Sequence, residues 1–345
     1  MNLSACLGIE LPIIQAPMAG SQGSLLALAV AQAGGLGSLP AAMLSLPDLR
    51  AELGRIKAGT DRPYNVNFFC HDTPTPDARR QSAWQSALAP FYQELAVDPA
   101  GVSAGPGRLP FSAEAADVLE EFKPPVVSFH FGLPSAALLA RVKQWGAKVL
   151  SSATTVDEAR WLEAHGADIV IAQGLEAGGH RGHFLSHDLS LQMGTFALLP
   201  QVVGAVKVPV VASGGIADAQ GVAAALALGA SGVQLGTVYL TAHEATTSRV
   251  HRAALQSEAA RHTALTNLFS GRPARGIVNR LMTSLGPMGG QEVPEFPLAT
   301  AAIAPLRAKA ESLGRGDFSP LWSGQNASAC REASAADITR ALFGL

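Results

Sequence analysis

Cysteine is scarce in this chain: Cys6, Cys70 and Cys330 are the only three in 345 residues, and no two stand in a CxxC spacing. Isolation of that kind argues against a disulfide framework or a thiolate metal site and suits a reducing compartment. Charge is also thin, at 15% of residues with a formal net charge of −2, and nowhere do five like charges run together. So balanced a chain has no electrostatic footprint for nucleic acid or an anionic membrane, which leaves small molecules as the expected partners. No apolar run reaches the ~20 residues of a membrane span, and the opening MNLSACLGIELPII lacks the basic stretch of a secretory leader, so a cytoplasmic location is expected. Aromatics supply only 6% of the residues, while 48% are hydrophobic and 35 are glycine. An Ala/Val/Leu/Gly-rich soluble enzyme with a sizeable core fits that composition, and disorder or a fibre does not.

Four junctions repeat along the chain: AGGLGSL from 33, WGAKVLSS from 145, HGADIVIA from 165 and LGASGVQL from 228. Each hands a helix-like stretch to a short apolar run through glycine, as a glycine C-cap does before a strand. Eight such runs read as buried parallel strands, at 12–18, 35–39, 64–69, 125–131, 148–153, 168–173, 208–213 and 232–238. Helical patterns such as SLLALAVAQA and DAQGVAAALAL lie between them. Because no GxGxxG turn follows the first strand, the alternation predicts an α/β chain forming a (β/α)8 TIM barrel rather than a doubly wound sheet. The expected division is a barrel over 1–240, with an insertion after strand 3 over about 71–122, and a mostly helical C-terminal extension over 241–345 that packs on the barrel as a candidate lid.

In such a barrel the site lies at the C-terminal ends of the strands, and the loops after strands 7 and 8 commonly hold a phosphate. Gly214 and Gly215 in ASGGIAD let backbone N–H groups approach an anion, and QLGT adds Gln234, Leu235, Gly236 and Thr237. The alternative is a pair of ordinary tight loops. Gln15, Asn67, His130, Gln173 and His180 are polar groups at the ends of apolar runs, and buried amides and imidazoles need partners. A flat heterocycle tethered by a phosphate, FMN, would satisfy several at once. His130 also reads as a satisfied core histidine.

The stretch AQGLEAGGHRGHF brings Gln173, Gly178, Gly179 and His180 together. Its glycines would let the backbone pass close to a ring, and a neutral imidazole at 180 is a suitable base for a carbon-bound proton. Glu176 and Arg181 are expected to form an ion pair or loop-bracing hydrogen bonds, and His183 and His187 to face solvent. His180 and His183 make an HxxH pair, but no carboxylate or thiolate has matching spacing, so no metal is expected.

Taken in order, LPIIQAPMAG, AGGLGSL, YNVNFFCH, SFHFG, AQGLEAGGHRG, VVASGGI and GVQLGTVYL resemble the class I nitronate monooxygenases, formerly 2-nitropropane dioxygenases, and the likeness extends into SGRPARGIVNR and DFSPLWSGQ. The resemblance implies a metal-free FMN enzyme that detoxifies alkyl nitronates, with neutral nitroalkanes as a second substrate class, using O2 to give carbonyl compounds and nitrite; a monomer or homodimer is expected. It places FMN on Asn67, Gln173, Gly178, Gly215, Gln234, Gly236 and Thr237, with Ala16, Pro17 and Met18 under the ring. His180 is then the catalytic base, and His130 lines the substrate side. The family pattern carries tyrosines and a lysine in the substrate wall. Here Phe296 stands where a tyrosine is expected, followed by Thr300 and Ala304, and the insertion reads AGPGRLPFS. The expectation is a more apolar or larger substrate and weaker binding of an anion such as propionate 3-nitronate. Three alternatives share the cradle: an FMN-dependent enoyl-ACP reductase, whose family carries glutamate in place of Gln173, an NAD(P)H:quinone reductase, and a non-catalytic flavin-binding protein.

Overall fold

Eight of the apolar runs become parallel strands because both of their faces are covered. In the computed structural model, which describes residues 2–99 and 107–345, these are β1 (Ile13–Gln15), β2 (Gly37–Pro40), β3 (Tyr64–Phe69), β4 (Val126–His130), β5 (Lys148–Ala153) and β6 (Ile169–Gln173). A two-residue strand, β7 (Gly179–His180), precedes the last two, β8 (Val210–Ser213) and β9 (Gly232–Leu235). The sheet runs β1-β9-β8-β6-β5-β4-β3-β2, every pair parallel, and a bridge from Ile14 to Leu36 brings its two edges together. The result is a (β/α)8 barrel. At all four repeated junctions a glycine takes the left-handed conformation that ends a helix, from Gly146 at φ 85° to Gly166 at φ 99°.

The lower half of the barrel is filled by Ile14, Leu36, Val126, Leu150, Ile169, Ile171 and Val211, and the short helix Leu3–Leu7 pushes Leu3 and Leu7 against them. Each leucine buried in this way contributes on the order of 2 kcal/mol. Higher in the barrel the interior turns polar. Gln15 bonds to the Gln22 amide at 2.6 Å and accepts from Ser38 N at 3.0 Å, while the Asn65 amide donates to Ser38 Oγ and Ser128 Oγ, both at 2.9 Å. Gln15 is therefore a core amide satisfied within the protein and does not reach the mouth.

Between β3 and β4 lie the helices Ala78–Glu94 and Ala113–Phe122. The loop read in the sequence as VDPAGVSAGPGRLP falls partly outside the described residues. Trp84, Leu88, Phe91 and Tyr92 of the first helix share a core with Leu268, Leu281, Leu306 and Phe318 of the C-terminal region. Beyond residue 240 the chain is not purely helical. Strands β10 (Thr263–Thr266) and β11 (Ala274–Ile277) form an antiparallel pair, and β11 also pairs with β7, matching Ala274 to His180 and Arg275 to Gly179. At the far end, the helix Ala335–Ala341 returns to the barrel wall, where Tyr239 Oη lies 2.8 Å from Thr339 Oγ1. No helix among the described residues is long and apolar enough to cross a membrane.

Candidate active site

The C-terminal ends of the barrel strands open into a cavity holding about 1290 Å³ of space, part of it continuous with solvent. That is ample for a ligand of nucleotide size. Ala16, Pro17 and Met18 line it from β1, Asn67 from β3, and His130 from β4. Gln173, Gly178, Gly179 and His180 come from β6 and the following loop, Gly214 and Gly215 from the end of β8, and Gln234, Leu235, Gly236 and Thr237 from β9. Phe69, Arg108, Trp322, Gly324 and Asn326 also face it. Of the residues that the family resemblance assigns to cofactor or substrate, Phe296 alone stands one layer back, its ring centroid 5.2 Å from that of His180.

At one end the wall is glycine, held by a strap from the C-terminal region. Gly214 and Gly215 have φ of 118° and 73°, which glycine adopts freely, so no side chain screens this stretch of backbone from the cavity. Gly324 N donates to Thr237 Oγ1 at 2.9 Å, Gln325 N to the Glu176 carbonyl at 2.9 Å, and Asn326 Nδ2 to the Gly215 carbonyl at 3.1 Å. The glycines at 178 and 179 have different reasons. A Cβ on Gly178 would lie 2.5 Å from Gly324 N and 2.6 Å from the Ser323 carbonyl carbon, so this glycine makes room for the strap. Gly179 has φ 72° and no protein atom within 4 Å of an added Cβ, so its open side is the cavity.

At the other end the His180 loop is pinned. Gln173 Nε2 donates to the His180 carbonyl at 2.9 Å, and Gln173 Oε1 accepts from Gly182 N at 2.7 Å. His130 Nε2 reaches the same carbonyl at 3.2 Å, so that nitrogen carries the proton and Nδ1 accepts from Ser152 Oγ at 3.2 Å. Burial, offset in part by that carbonyl bond, pulls His130 down to about 4, so its ring is neutral. Asn67 likewise donates to Ser128 Oγ at 2.9 Å and the Ser128 carbonyl at 3.2 Å. The strand-end amides and imidazole thus find protein partners, and Gln173 and His130 hold the loop around His180 through its carbonyl.

His180 sits inside an aromatic box of Phe69, Phe131, Phe296 and Trp322. Its Nε2 lies 2.8 Å from Ser270 Oγ. Burial pushes its pKa well below the ordinary histidine value, and the charges of Arg108 and Arg272 act in the same direction. Glu176 and Arg181 form no ion pair. The Glu176 carboxylate accepts from Thr195 N and Oγ1, both at 2.8 Å, and the buried Arg181 donates to Gln192 Oε1 and the carbonyls of Gly174 and Gln173, each at 2.8 Å. His183 corrects the sequence reading: it is 1% exposed, whereas His187 does face solvent. The loop is drawn inward because Arg181 N donates to the Pro273 carbonyl at 2.9 Å, Phe184 N donates to Glu158 Oε1 at 2.7 Å, and Arg272 binds the His183 carbonyl. Among the described residues, no group of three or more His, Cys, Asp and Glu side chains is arranged to hold a metal ion.

The sequence reading missed Phe69, Arg108, Ser270 and Trp322. Phe69 and Ser270 end or begin segments already marked by pattern, NVNFF and SGRPARG, whereas Arg108 and Trp322 lie in irregular stretches with no periodicity to place them.

A sequence model described as nitronate monooxygenase matches residues 1–344. A nitronate monooxygenase of Paraburkholderia phytofirmans is 42% identical over 338 residues, covering 97% of this chain and 92% of the relative. The solved nitroalkane oxidase of Streptomyces ansochromogenes superposes with a TM-score of 0.88 at 39% identity, covering 99% of this chain and 96% of its own. FabK from Thermotoga maritima is more distant, with a TM-score of 0.72 and 29% identity over 99% of this chain and 94% of its own. The chain belongs to the nitronate monooxygenase family, which is flavin-dependent.

Proposed function

We propose that this protein is an FMN-dependent monooxygenase that oxidises alkyl nitronates with O2 to carbonyl compounds and nitrite. The observation that carries the reading is the pairing, across one cavity, of a glycine-lined wall with a neutral histidine boxed by aromatic rings. The residues fit FMN on the structure's own terms: the unscreened backbone at Gly214 and Gly215 lets a phosphate approach, and the open side of Gly179 leaves room for a planar ring where a side chain would stand. Gly214, Gly215, Gly236 and Thr237 would hold the phosphate. Ala16, Pro17, Met18, Gly178 and Gly179 would border the ring, with Asn67, Gln173 and Gln234 near its polar edge. Bound there, FMN supplies the redox chemistry that links substrate oxidation to O2.

The chain's own part is to bind, orient and shelter the substrate. Ser270 Oγ has the Arg272 carbonyl within 3.3 Å as an acceptor for its single proton, so it accepts in turn from His180 Nε2. The lone pair of the neutral imidazole then lies on Nδ1, which takes a carbon-bound proton from a nitroalkane. A nitronate has already lost that proton. Since the depressed pKa makes His180 a weak base, nitronates are the favoured substrates. The box of Phe69, Phe131, Phe296 and Trp322 excludes water from the reacting carbon.

The test compares oxygen uptake and nitrite release with ethyl nitronate and nitroethane in the wild type and His180→Asn. The expected result is efficient nitronate oxidation, with His180→Asn losing at least ~10²-fold on nitroethane and much less on the nitronate. An absence of oxygen uptake with nitronates, combined with rapid anaerobic bleaching of the flavin by NADH or NADPH, would replace this reading with a reductase.

A further inference from the structure

The cavity described above has a conspicuous imbalance of charge. Among the described residues that line it there is no aspartate, glutamate or lysine, and Arg108 alone carries a permanent charge. Several other arginines are occupied: Arg50, Arg141 and Arg280 meet carboxylates, and Arg181 is saturated by three acceptors. Arg272, also half-buried without a carboxylate partner, binds the His183 carbonyl and lies over the Phe131 ring, outside the cavity lining. Among the described residues Arg108 makes one side-chain hydrogen bond, from Nη1 to Thr300 Oγ1 at 3.1 Å, and its guanidinium carbon lies 5.8 Å from the Phe296 ring centroid. Residues 100–106, just before it, contain no acidic residue. Burial draws its pKa down to about 10, and the neighbouring charge that bears on it is the like charge of Arg307.

A half-buried guanidinium with no carboxylate partner among the described residues is costly and persists where a ligand supplies the missing charge. Its aim is fixed rather than loose: Thr300 Oγ1 accepts from Arg108 while donating to the Phe269 carbonyl at 3.0 Å. Phe296 stands between the two ends of this arrangement, close to both Arg108 and His180. We infer that Arg108 is the specificity-determining residue of the mouth, its guanidinium fork binding the oxygens of an anionic, planar N-oxo substrate held beside His180. A rigid fork with five donors suits a two-oxygen anion in a way a lysine would not. The cation that the sequence reading found missing from the C-terminal wall therefore comes from the insertion after β3. Thr300, which stood out as a departure, becomes the brace that orients it. The identity of the substrate rests on the proposed nitronate oxidation, whereas the charge of the ligand does not.

The experiment titrates sodium nitrate, a planar oxyanion, into the flavin-loaded protein and follows the flavin absorbance, for the wild type, Arg108→Lys and Arg108→Gln. Nitrate should bind the wild type, at least about tenfold more weakly to Arg108→Gln, and with intermediate affinity to Arg108→Lys. In parallel, kcat/KM for ethyl nitronate should fall at least about tenfold in Arg108→Gln, with the loss in KM. Nitrate affinity within twofold of wild type in Arg108→Gln, no nitrate binding to the wild type, or loss of flavin and a lowered Tm in both variants would overturn the assignment. Arg108-dependent nitrate binding in a protein that does not turn over nitronates would uphold it while the proposed reaction fails.

Discussion

Lowering the pH from 8 to 5 is expected to strip about 6 kcal/mol of folding stability through three buried imidazoles. His71, His183 and His251 are 7%, 1% and 6% exposed. Burial is the leading cause of their shifts, which bring them to about 4, 3 and 4. In the unfolded chain each titrates near ~6.5. A folded pKa below the unfolded one means that the contribution is complete above pH 6.5 and drains as pH falls toward 4, because the unfolded chain takes up protons that the folded state refuses. At pH 5 each imidazole costs the fold about 2 kcal/mol, and the three together rival the ~5–15 kcal/mol that keeps a typical protein folded. His130 and His180 act in the same direction. Carboxylates such as Glu94 and Glu121, held below their ordinary range by Arg280 and Arg50, titrate at lower pH and leave this window to histidine. Urea unfolding from pH 8 to pH 5 should give a slope of roughly three protons or more near pH 5. His251→Gln, which keeps a donor for the Trp322 carbonyl 3.0 Å away, should flatten it by about one proton. A slope below one proton, or a His251→Gln curve parallel to wild type, would refute the reasoning.

Two further substitutions test the pinning of the mouth. Gly178→Ala drives a Cβ into backbone at 2.5 Å, so the strap has to move; the expected cost is about 1–3 kcal/mol, with faster loss of flavin on dialysis, checked by Tm and flavin content. Gln173→Glu keeps the acceptor for Gly182 N but sets a carboxylate against the His180 carbonyl, and its charge should raise the pKa of the nearby histidines. The pH–rate profile should then acquire an acidic limb closer to neutrality, and an unchanged profile would count against the role given to Gln173.

What was legible in the sequence follows from how each element is stabilised. Parallel strands covered on both faces must be continuous apolar runs, so all eight barrel strands could be read, and glycine C-caps announced the junctions. The second sheet escaped because β7 has only two residues and TALT and ARGI carry no alternation; its register is set by pairing across the tertiary structure. His183 was misplaced for a related reason, since nothing local in GHRGHF reveals that Pro273, Arg272 and Glu158 pull it inside. Strand-end polarity did point to the mouth, but it could not show that Asn67, Gln173 and His130 are satisfied by protein atoms, because Ser128, Gly182 and Ser152 reach them through folding alone.

The pairing of β7 with β11 also sets a timetable for biosynthesis. His180 is polymerised nearly a hundred residues before Ala274, the partner that fixes its backbone, and Thr237 waits longer still for Gly324. A nascent chain emerging from the ribosome can pair its barrel strands while the His180 loop still lacks its partner strand and the Gly214–Gly215 turn its strap. Cofactor capture is thereby expected to wait for the last stage of synthesis, because the residues that complete the mouth are among the last to be made.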